Sequence, residues 1–356
     1  MNKRKNNLIH DKFKRTITDL RISLTDQCNF RCTYCMPKEI FGKNYTFLPK
    51  KELLSFREIE LLSKAFVNLG VEKLRLTGGE PLLRKNLPEL IRNLKRIKKP
   101  DGKNVKVTLT TNGFLLKQFT SILKKSGLDR VTVSLDSLDK KIFQQMIDGK
   151  YSPEQVLAGI DAARDEGLEV KVNMVVKKGV NDSQILPMAD YFRKRDIQLR
   201  FIEFMDVGNS NHWDLRYVFS TEEVIRLLDT NFGVAPVGRK IASEVAEGWV
   251  YNTGGTFGTI SSVSKPFCAN CSRARISSNG LLYTCLFASS GYDLKKTIRE
   301  KFSCSNNELC DAELISFIET HVRRVWGSRS DRYSENRLRK KLIIKEQKIE
   351  MSYIGG

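Results

Sequence analysis

Short apolar runs alternate with helical patterns over residues 19–206, and this alternation limits the folds that the chain can adopt. Strands that alternate with helices form parallel sheets. The sequence therefore predicts an α/β fold, an incomplete (β/α)6 barrel of the triosephosphate-isomerase type over residues 19–230. The six predicted strands are Leu20–Leu24, Lys73–Thr77, Val105–Thr110, Arg130–Leu135, Val170–Val176 and Leu199–Met205. The predicted helices are Glu52–Leu69, Pro88–Ile97, Leu115–Lys125, Pro153–Glu166 and Ser183–Lys194.

The flanking segments have a different character. From residue 231 short strand-like runs and glycines replace the regular alternation, with helical patterns at Leu294–Phe302 and Glu308–Val325. We expect residues 231–356 to form a smaller C-terminal domain that caps the barrel. Residues 1–18 are expected to be a basic flexible arm, and the charged segment Arg323–Lys348 is expected to be solvated.

The net charge of +20 indicates an affinity for anions. No recognised nucleic-acid-binding motif accompanies that charge, and a small polyanion such as a nucleoside triphosphate would use part of it. The sequence contains no run of about 18 apolar residues, so it predicts no membrane span. The basic start has no apolar core or cleavage site typical of a secretory signal, so we expect a cytoplasmic protein with reduced thiols.

Six of the eight cysteines form two groups of three. The first group, Cys28-x-x-x-Cys32-x-x-Cys35, follows the first predicted strand. Thiolates bind iron–sulfur clusters, zinc or copper(I), and a structural zinc ion would need a fourth ligand. A four-iron cluster held by three cysteines leaves one iron open. Spacing alone favours such a cluster, while zinc and coincidence remain alternatives.

The second group is Cys268, Cys271 and Cys285. It also lacks an obvious fourth ligand, since none of the three histidines is near it in the sequence. A second cluster with an open iron is favoured. Cys304 and Cys310 are the candidates for a fourth ligand, which would make zinc the alternative.

Several predicted strands carry one basic or hydroxyl residue among apolar neighbours. A single buried cation could lie beneath a helix, but cations on several strands indicate a lumen that binds an anion. Because arginine suits multidentate phosphate contacts, we expect a phosphorylated substrate. These residues are Arg21, Arg75, Thr110, Ser134, Lys171 and Arg200.

The unusual loops follow the predicted strands, where parallel barrels place their active sites. With the first cysteine group, Tyr34 before its last cysteine and Gly78-Gly79-Glu80-Pro81 after the second strand, the sequence resembles the radical S-adenosylmethionine superfamily. The resemblance implies a [4Fe–4S] cluster that cleaves S-adenosylmethionine to a 5′-deoxyadenosyl radical. It implies that Gly78 and Gly79 let backbone approach this ligand and that Glu80 accepts from its ammonium group.

Four longer stretches of the sequence resemble one family within this superfamily. Asp19–Pro37, Phe201–Gly208, Phe267–Arg275 and the final Ile354-Gly355-Gly356 are similar to the GTP 3′,8-cyclases of molybdenum cofactor biosynthesis. In that family the double-glycine tail reaches back into the active site.

The resemblance implies a role for each matching residue. Cys28, Cys32 and Cys35 would hold the first cluster, and Cys268, Cys271 and Cys285 the second, whose open iron engages guanine. Tyr34, Gly79, Ser134 and Met205 would contact S-adenosylmethionine. GTP would be bound by Arg21, Arg75, Thr110, Lys171, Arg200, Arg273, Ala274 and Arg275, with Arg21, Arg273 and Arg275 as candidate catalytic residues.

The implied reaction is a radical cyclisation of GTP to 3′,8-cyclo-7,8-dihydro-GTP. The implied partners are an electron donor, a cyclic pyranopterin monophosphate synthase that consumes the product, and a second copy in a homodimer; no membrane or nucleic-acid partner is expected. Two alternatives remain. One is a radical enzyme that modifies peptides or another small molecule through an auxiliary cluster, and the other is a zinc-stabilised nucleic-acid-binding protein.

Overall fold

The computed structural model describes residues 8–238, 244–304, 310–337 and 348–355. The first part of the chain alternates six strands with seven helices. The strands are β1 (Asp19–Ser23), β2 (Lys73–Thr77), β3 (Lys106–Thr111), β4 (Arg130–Ser134), β5 (Glu169–Val176) and β6 (Gln198–Glu203). The helices are α1 (Phe56–Asn68), α2 (Leu87–Lys95), α3 (Leu116–Lys125), α4 (Lys140–Ile147), α5 (Pro153–Asp165), α6 (Ile185–Arg193) and α7 (Thr221–Phe232).

The second part consists of short strands followed by helices. The strands are β7 (Val234–Gly238), β8 (Glu247–Tyr251), β9 (Thr256–Ile260), β10 (Arg273–Ile276), β11 (Leu281–Tyr283) and β12 (Tyr292–Asp293). The helices are α8 (Leu294–Cys304), α9 (Asp311–Gly327), α10 (Tyr333–Asn336) and α11 (Met351–Ile354).

All these strands belong to one sheet, in the order β12-β11-β10-β1-β2-β3-β4-β5-β6-β9-β8-β7. The eight strands from β10 to β9 run parallel, and antiparallel strands extend the sheet at both edges. Within the described residues β9 and β10 are not paired with each other, so the parallel strands form an open barrel. The predicted α/β incomplete barrel is confirmed, and two further parallel strands extend it.

The predicted elements are displaced from the observed ones by a few residues. The largest difference is at α1, predicted from Glu52. Helix α1 begins only after Ser55, which caps it: the Ser55 hydroxyl accepts from the amide of Glu58, and the Glu58 carboxylate accepts from the amide of Ser55. Helices α4 and α7 were not predicted, although both are amphipathic, with buried residues at helical spacing such as Phe143 and Ile147 in α4 and Val224 and Leu228 in α7.

The C-terminal segment is built into the barrel sheet. Strand β10 pairs with β1 and strand β9 pairs with β6, so both edges of the parallel barrel come from beyond residue 230. Helix α9 packs against α1. The domain boundary at residue 230 stays a prediction, but the sheet itself crosses it.

Two predicted solvated segments are partly buried. Ile9, Asp11, Arg15 and Ile17 are at most 6% exposed, although residues 1–18 were expected to be a flexible arm; that expectation stays a prediction. Within Arg323–Lys348, four residues are buried: Val325, Trp326, Arg329 and Arg337. Residues 338–347 lie outside the described part of the chain. Charge density suggested solvation in both segments, but their ions are paired inside the protein. None of the described helices has both the length and the apolar character needed to cross a membrane.

A buried carboxylate joins the end of β6 to the C-terminal segment. Glu203 accepts from the amide of Thr221 at 2.9 Å, and from the amides of Val263 and Ser264 at 2.7 and 2.9 Å. It is 1% exposed. These bonds fix the start of α7 and the loop after β9 at the mouth of the barrel.

We predict that Glu203→Ala lowers the free energy of unfolding by about 3 kcal/mol, because one buried and two partly buried amides lose their acceptor. Urea unfolding of the purified chain, followed by circular dichroism, measures the change. Glu222→Ala is the matched control, since Glu222 is exposed and pairs with Lys265 on the surface. Equal unfolding midpoints for the two variants would show that the Glu203 contacts do not stabilise the mouth.

Candidate active site

Both groups of three cysteines line one cavity of about 380 Å³. The first group lies at the C-terminal end of β1, and the second lies on the loop before β10 and the turn after β11. Because β10 runs parallel to β1 and β11 runs antiparallel to β10, the second group lies at the end of the barrel where β1 begins, opposite to the first group. The sequence predicted a site at the C-terminal strand ends; the first group lies there, and the cavity extends through the barrel to the second group.

A compact loop presents the first three thiols. The amide of Cys35 donates to the carbonyl of Cys32 at 2.9 Å, and Arg31 donates to the carbonyls of Cys28 and Phe41, both at 2.7 Å. Burial raises the pKa of Cys28 to about 12 and raises the pKa values of Cys32 and Cys35. Without a metal these thiols stay protonated, so metal binding would release their protons.

The glycine pair after β2 is required by close packing against the cysteine loop. A Cβ at Gly78 would lie 2.5 Å from the carbonyl oxygen of Thr25, and one at Gly79 would lie 2.1 Å from that of Gln27. The amide of Gly79 donates to the Thr25 carbonyl at 2.7 Å. Both glycines line the cavity, so their backbone is open to a ligand.

Glu80 does not lie where the sequence analysis expected it. It is 0% exposed, it is not among the residues that line the cavity, and its carboxylate is occupied. It accepts from the Thr111 hydroxyl at 2.7 Å and the Asn112 amide at 2.8 Å. Burial outweighs these bonds and raises the pKa of Glu80 to about 7. The expected contact with an ammonium group is therefore corrected: Glu80 holds the loop after β3.

The other residues predicted to contact S-adenosylmethionine lie together on the cavity wall. Tyr34, Ser134 and Met205 all line it. The Tyr34 hydroxyl donates to Asp136 at 2.8 Å, and the other Asp136 oxygen accepts from the Val175 amide at 2.8 Å. Burial raises the pKa of Asp136 to about 6 against these two bonds. Tyr34 is thereby held against the end of β5.

The second cysteine group lies in a positively charged environment. Burial acts to raise the pKa of the Cys271 thiol, but Arg273 and Arg329 outweigh it and lower that pKa to about 6. Arg273 also donates to the Cys271 sulfur at 3.8 Å. In contrast, burial raises the pKa of Cys285 to about 12. Arg273 and Arg329 therefore compensate the negative charge of a thiolate at Cys271.

The donor sets fit iron–sulfur clusters better than zinc. Each group offers three thiols to the cavity, and no fourth cysteine of the described residues lines it. Cys310 is exposed at the start of α9, and the side chain of Cys304 lies outside the described residues. Three thiols without a fourth cysteine suit a polynuclear cluster with one open iron.

Cations from neighbouring strands line the cavity between the two cysteine groups. In the register of the sheet, Arg21 lies beside Arg275 on one side and Arg75 on the other. Burial, followed by repulsion from Arg275 and Arg75, lowers the pKa of Arg21 well below its ordinary value. Buried Nε atoms without a hydrogen-bond partner in the described structure occur at Arg21, Arg75, Arg130 and Arg200. These unpaired donors fit an anion with several acceptor oxygens.

The structure adds cavity residues that sequence analysis missed. Arg130 and Lys73 line the wall as the first residues of β4 and β2, and Asn173 lies two residues after Lys171 on β5. Asp19 pairs with Lys73 and, although burial opposes ionisation, this pair and Arg75 lower the pKa of Asp19 to about 2. The two-residue alternation from Arg75 and Lys171 could have identified Lys73 and Asn173.

The residues predicted to bind GTP divide between the two faces of the sheet. Arg21, Arg75, Thr110, Lys171, Arg200, Arg273 and Arg275 line the cavity. Ala274 does not, because its neighbours on β10 take the cavity face and its own side chain packs in the core. The assignment of Ala274 to GTP binding stays a prediction, and its side chain lies in the core. Arg275 also donates to the carbonyl of Gly355, so the end of the described chain meets the site; Gly356 lies outside the described residues.

Comparison with known proteins connects this geometry to a family. Residues 22–192 match the radical SAM superfamily, and residues 197–335 match the family described as Molybdenum Cofactor Synthesis C. The chain is similar to the GTP 3′,8-cyclase of Staphylococcus epidermidis strain ATCC 35984, with 47% identity over 98% of this chain and 99% of that protein. It is 45% identical to the GTP 3′,8-cyclase of Staphylococcus aureus strain MRSA252, over 98% of this chain and 99% of that one.

A solved structure shares the fold at low sequence identity. Streptococcus suis SuiB bound to S-adenosylmethionine superposes with a TM-score of 0.58 and 18% identity, covering 91% of this chain and 68% of SuiB. That likeness shows the fold alone. The superfamily match and the curated relatives agree with the predicted cofactors, S-adenosylmethionine and two [4Fe–4S] clusters. The chain belongs to the GTP 3′,8-cyclase family, within the radical S-adenosylmethionine superfamily.

Proposed function

We propose that this chain cyclises GTP to 3′,8-cyclo-7,8-dihydro-GTP, the first step of molybdenum cofactor biosynthesis. One observation supports the proposal above the others: a single cavity joins two three-thiol groups, and between them lies a wall of cations in which four arginines have a buried Nε without a hydrogen-bond partner. A triphosphate supplies the acceptor oxygens that these cations lack. The alternatives of a peptide-modifying enzyme and a nucleic-acid-binding protein give no reason for a buried cationic wall.

The residues have separate tasks in this proposal. Cys28, Cys32 and Cys35 hold the first [4Fe–4S] cluster, with Tyr34, Gly78, Gly79, Ser134 and Met205 around S-adenosylmethionine. Cys268, Cys271 and Cys285 hold the second, whose open iron receives the guanine base. Arg21, Arg75, Thr110, Lys171, Arg200, Arg273 and Arg275 bind GTP, and Lys73 and Arg130 extend the phosphate contacts.

When bound, the first cluster and S-adenosylmethionine supply the radical that removes hydrogen from ribose C3′, after which C3′ joins guanine C8. The chain itself contributes position and charge. Arginines fixed on three paired strands hold the phosphates at one end, and the second cysteine group fixes the base at the other. The apolar residues of the strands pack in the core behind the sheet, and the polar residues that alternate with them face the ligand. Arg21, Arg273 and Arg275 are the candidates to stabilise charge during reduction and protonation.

The partners follow from the reaction. The cyclisation needs an electron donor, and its product is the substrate of a cyclic pyranopterin monophosphate synthase. We place the reaction in the cytoplasm, where thiols stay reduced. A homodimer is part of the proposal. Residues 19–230 would act as the radical domain and residues 231–356 as the domain of the second cluster.

We predict that anaerobically reconstituted protein, given reductant, S-adenosylmethionine and GTP, forms 5′-deoxyadenosine. Liquid chromatography with mass spectrometry measures this product and the cyclised nucleotide. Deuterium at ribose C3′ of GTP should appear in the deoxyadenosine. Formation no greater than in a control without GTP would overturn the substrate assignment.

Iron and sulfide analysis tests the two cluster sites. Cys268→Ala should lose about one four-iron cluster relative to the wild type, because the two thiolates that remain are too few to hold it. Cys310→Ala is the matched control, since this thiol is exposed outside the cavity. Unchanged iron in Cys268→Ala would remove the second cluster from the proposal.

GTP affinity should depend on the charge of Lys171. Burial, followed by Arg130 and Arg200, lowers the pKa of Lys171 to about 8. Phosphate prefers the protonated amine, which is present below pH 8 and is lost as the pH rises. We expect Kd to increase about fourfold between pH 7 and pH 8.5.

Anaerobic titration calorimetry on the holoenzyme measures this dependence. Lys171→Arg keeps its charge and should show a flat profile, whereas Lys194→Arg, at an exposed position, should behave like the wild type. An equal increase of Kd in Lys171→Arg would assign the pH dependence to another group.

A further inference from the structure

Residues 8–18 fold into a turn that lies against the second cysteine loop. His10 pairs with Thr16, and one Asp11 oxygen accepts from the amides of Phe13 and Arg15, both at 2.9 Å. The indole of Trp326 on α9 donates to the carbonyl of Arg15 at 3.0 Å. The proposed function assigns no role to this turn, although Arg15 lines the cavity.

Arg15 joins this turn to the first cysteine of the loop. Its Nη1 donates to the carbonyl of Cys268 at 2.9 Å and to the carbonyl of Asp331 at 3.0 Å. Its Nε donates to the Asp11 carboxylate at 2.5 Å. The Arg15 side chain is 3% exposed, and the Asp11 side chain is 0% exposed. The guanidinium is therefore fixed by a carboxylate on one side and holds a backbone carbonyl on the other.

Arg329 makes the corresponding contact with the second cysteine of the loop. Its Nη1 donates to the carbonyl of Cys271 at 2.7 Å and lies 3.7 Å from the same Asp11 carboxylate. Its Nη2 donates to Asp331 at 2.9 Å. The Arg329 side chain is 1% exposed. Two buried arginines thus bind the carbonyls of the cysteines that begin and end the Cys268–Cys271 turn.

The four charged residues form a closed network, Asp11, Arg15, Arg329 and Asp331, in which two cations balance two anions. Replacing buried ions by apolar groups is often neutral or stabilising, so stability alone does not account for them. Their hydrogen bonds to the protein backbone converge on one short turn. A turn that must hold iron gains no restraint from a fourth thiol, because no fourth cysteine of the described residues lines the cavity. Anchored carbonyls supply that restraint and reduce the entropy lost on binding.

We propose that Asp11, Arg15, Arg329 and Asp331 are positioning residues that hold the Cys268–Cys271 turn in its ligand-binding shape before the cluster arrives. This inference rests on the proposed function in one respect, the assignment of a second cluster to that turn. The shape itself is a property of the chain without iron and is measured there.

Hydrogen–deuterium exchange on the cluster-free full chain tests the proposal. The amide of Cys271 donates to the carbonyl of Cys268 at 3.2 Å, so its exchange rate reports on the turn. Arg15→Gln and Arg329→Gln should each increase the exchange rate in residues 267–272 at least about tenfold, because the carbonyl anchors are lost. The rate in β3 and β4, remote from the turn, should not change.

Exposed cations near the same residues provide matched controls. Lys12→Gln removes the same charge from the N-terminal turn, and Arg324→Gln removes it from α9; both positions are exposed. Wild-type exchange in residues 267–272 of the Arg15→Gln and Arg329→Gln variants would overturn the proposal. Faster exchange in β3 and β4 as well would also overturn it, since this would show a general loss of stability.

Iron loading provides a second readout. After reconstitution, Arg329→Gln should lose iron from the second site while the first site remains filled, and Arg329→Lys should recover at least half of the loss. Equal losses from both sites would contradict a positioning role. The proposed function fails separately: if wild-type protein loads only one cluster, the second-site assignment falls, while the exchange data still decide whether the network holds the turn.

Discussion

Like charges in adjacent register are the constraint on which the rest of this structure depends. Arg275, Arg21 and Arg75 occupy neighbouring positions on β10, β1 and β2; Arg75 and Arg275 are buried, and Arg21 is partly buried. Asp19 offsets part of this charge, but several guanidinium Nε atoms of the described wall have no partner. Such an arrangement is costly in a protein without ligand and favourable only when an anion completes it. The interior of the barrel is therefore organised around a substrate.

Much of this organisation could be predicted from the sequence, because it depends on local periodicity. Strand positions such as Arg75 and Lys171 stand out as cations among apolar residues, and cysteine spacing is a property of a few neighbouring residues. The pairing of β10 with β1 could not be predicted in this way, because it joins segments some 250 residues apart by backbone hydrogen bonds that leave no periodic signal. Only this pairing places the second cysteine group at the far end of the cavity that the first group lines.

The differences between expectation and structure have a common physical origin. Glu80 and Ala274 lie within motifs whose neighbours face the cavity, but each has its own side chain turned elsewhere: Glu80 toward the loop after β3, and Ala274 toward the core. The segment 8–18 was expected to be solvated because it is basic, yet its Arg15 is paired with Asp11 and buried. A motif identifies the backbone segment that forms a site, whereas side-chain direction and ion pairing depend on tertiary contacts.

The gap between β9 and β10 gives the described barrel an open seam. Residues 261–272 connect these two edge strands directly, and Cys268 and Cys271 lie on that connection, while Cys285 lies after β11. Two of the three thiols of the second cysteine group are therefore carried by the segment that bridges the seam. The open edge of the barrel and most of the second cysteine group are built from the same stretch of backbone.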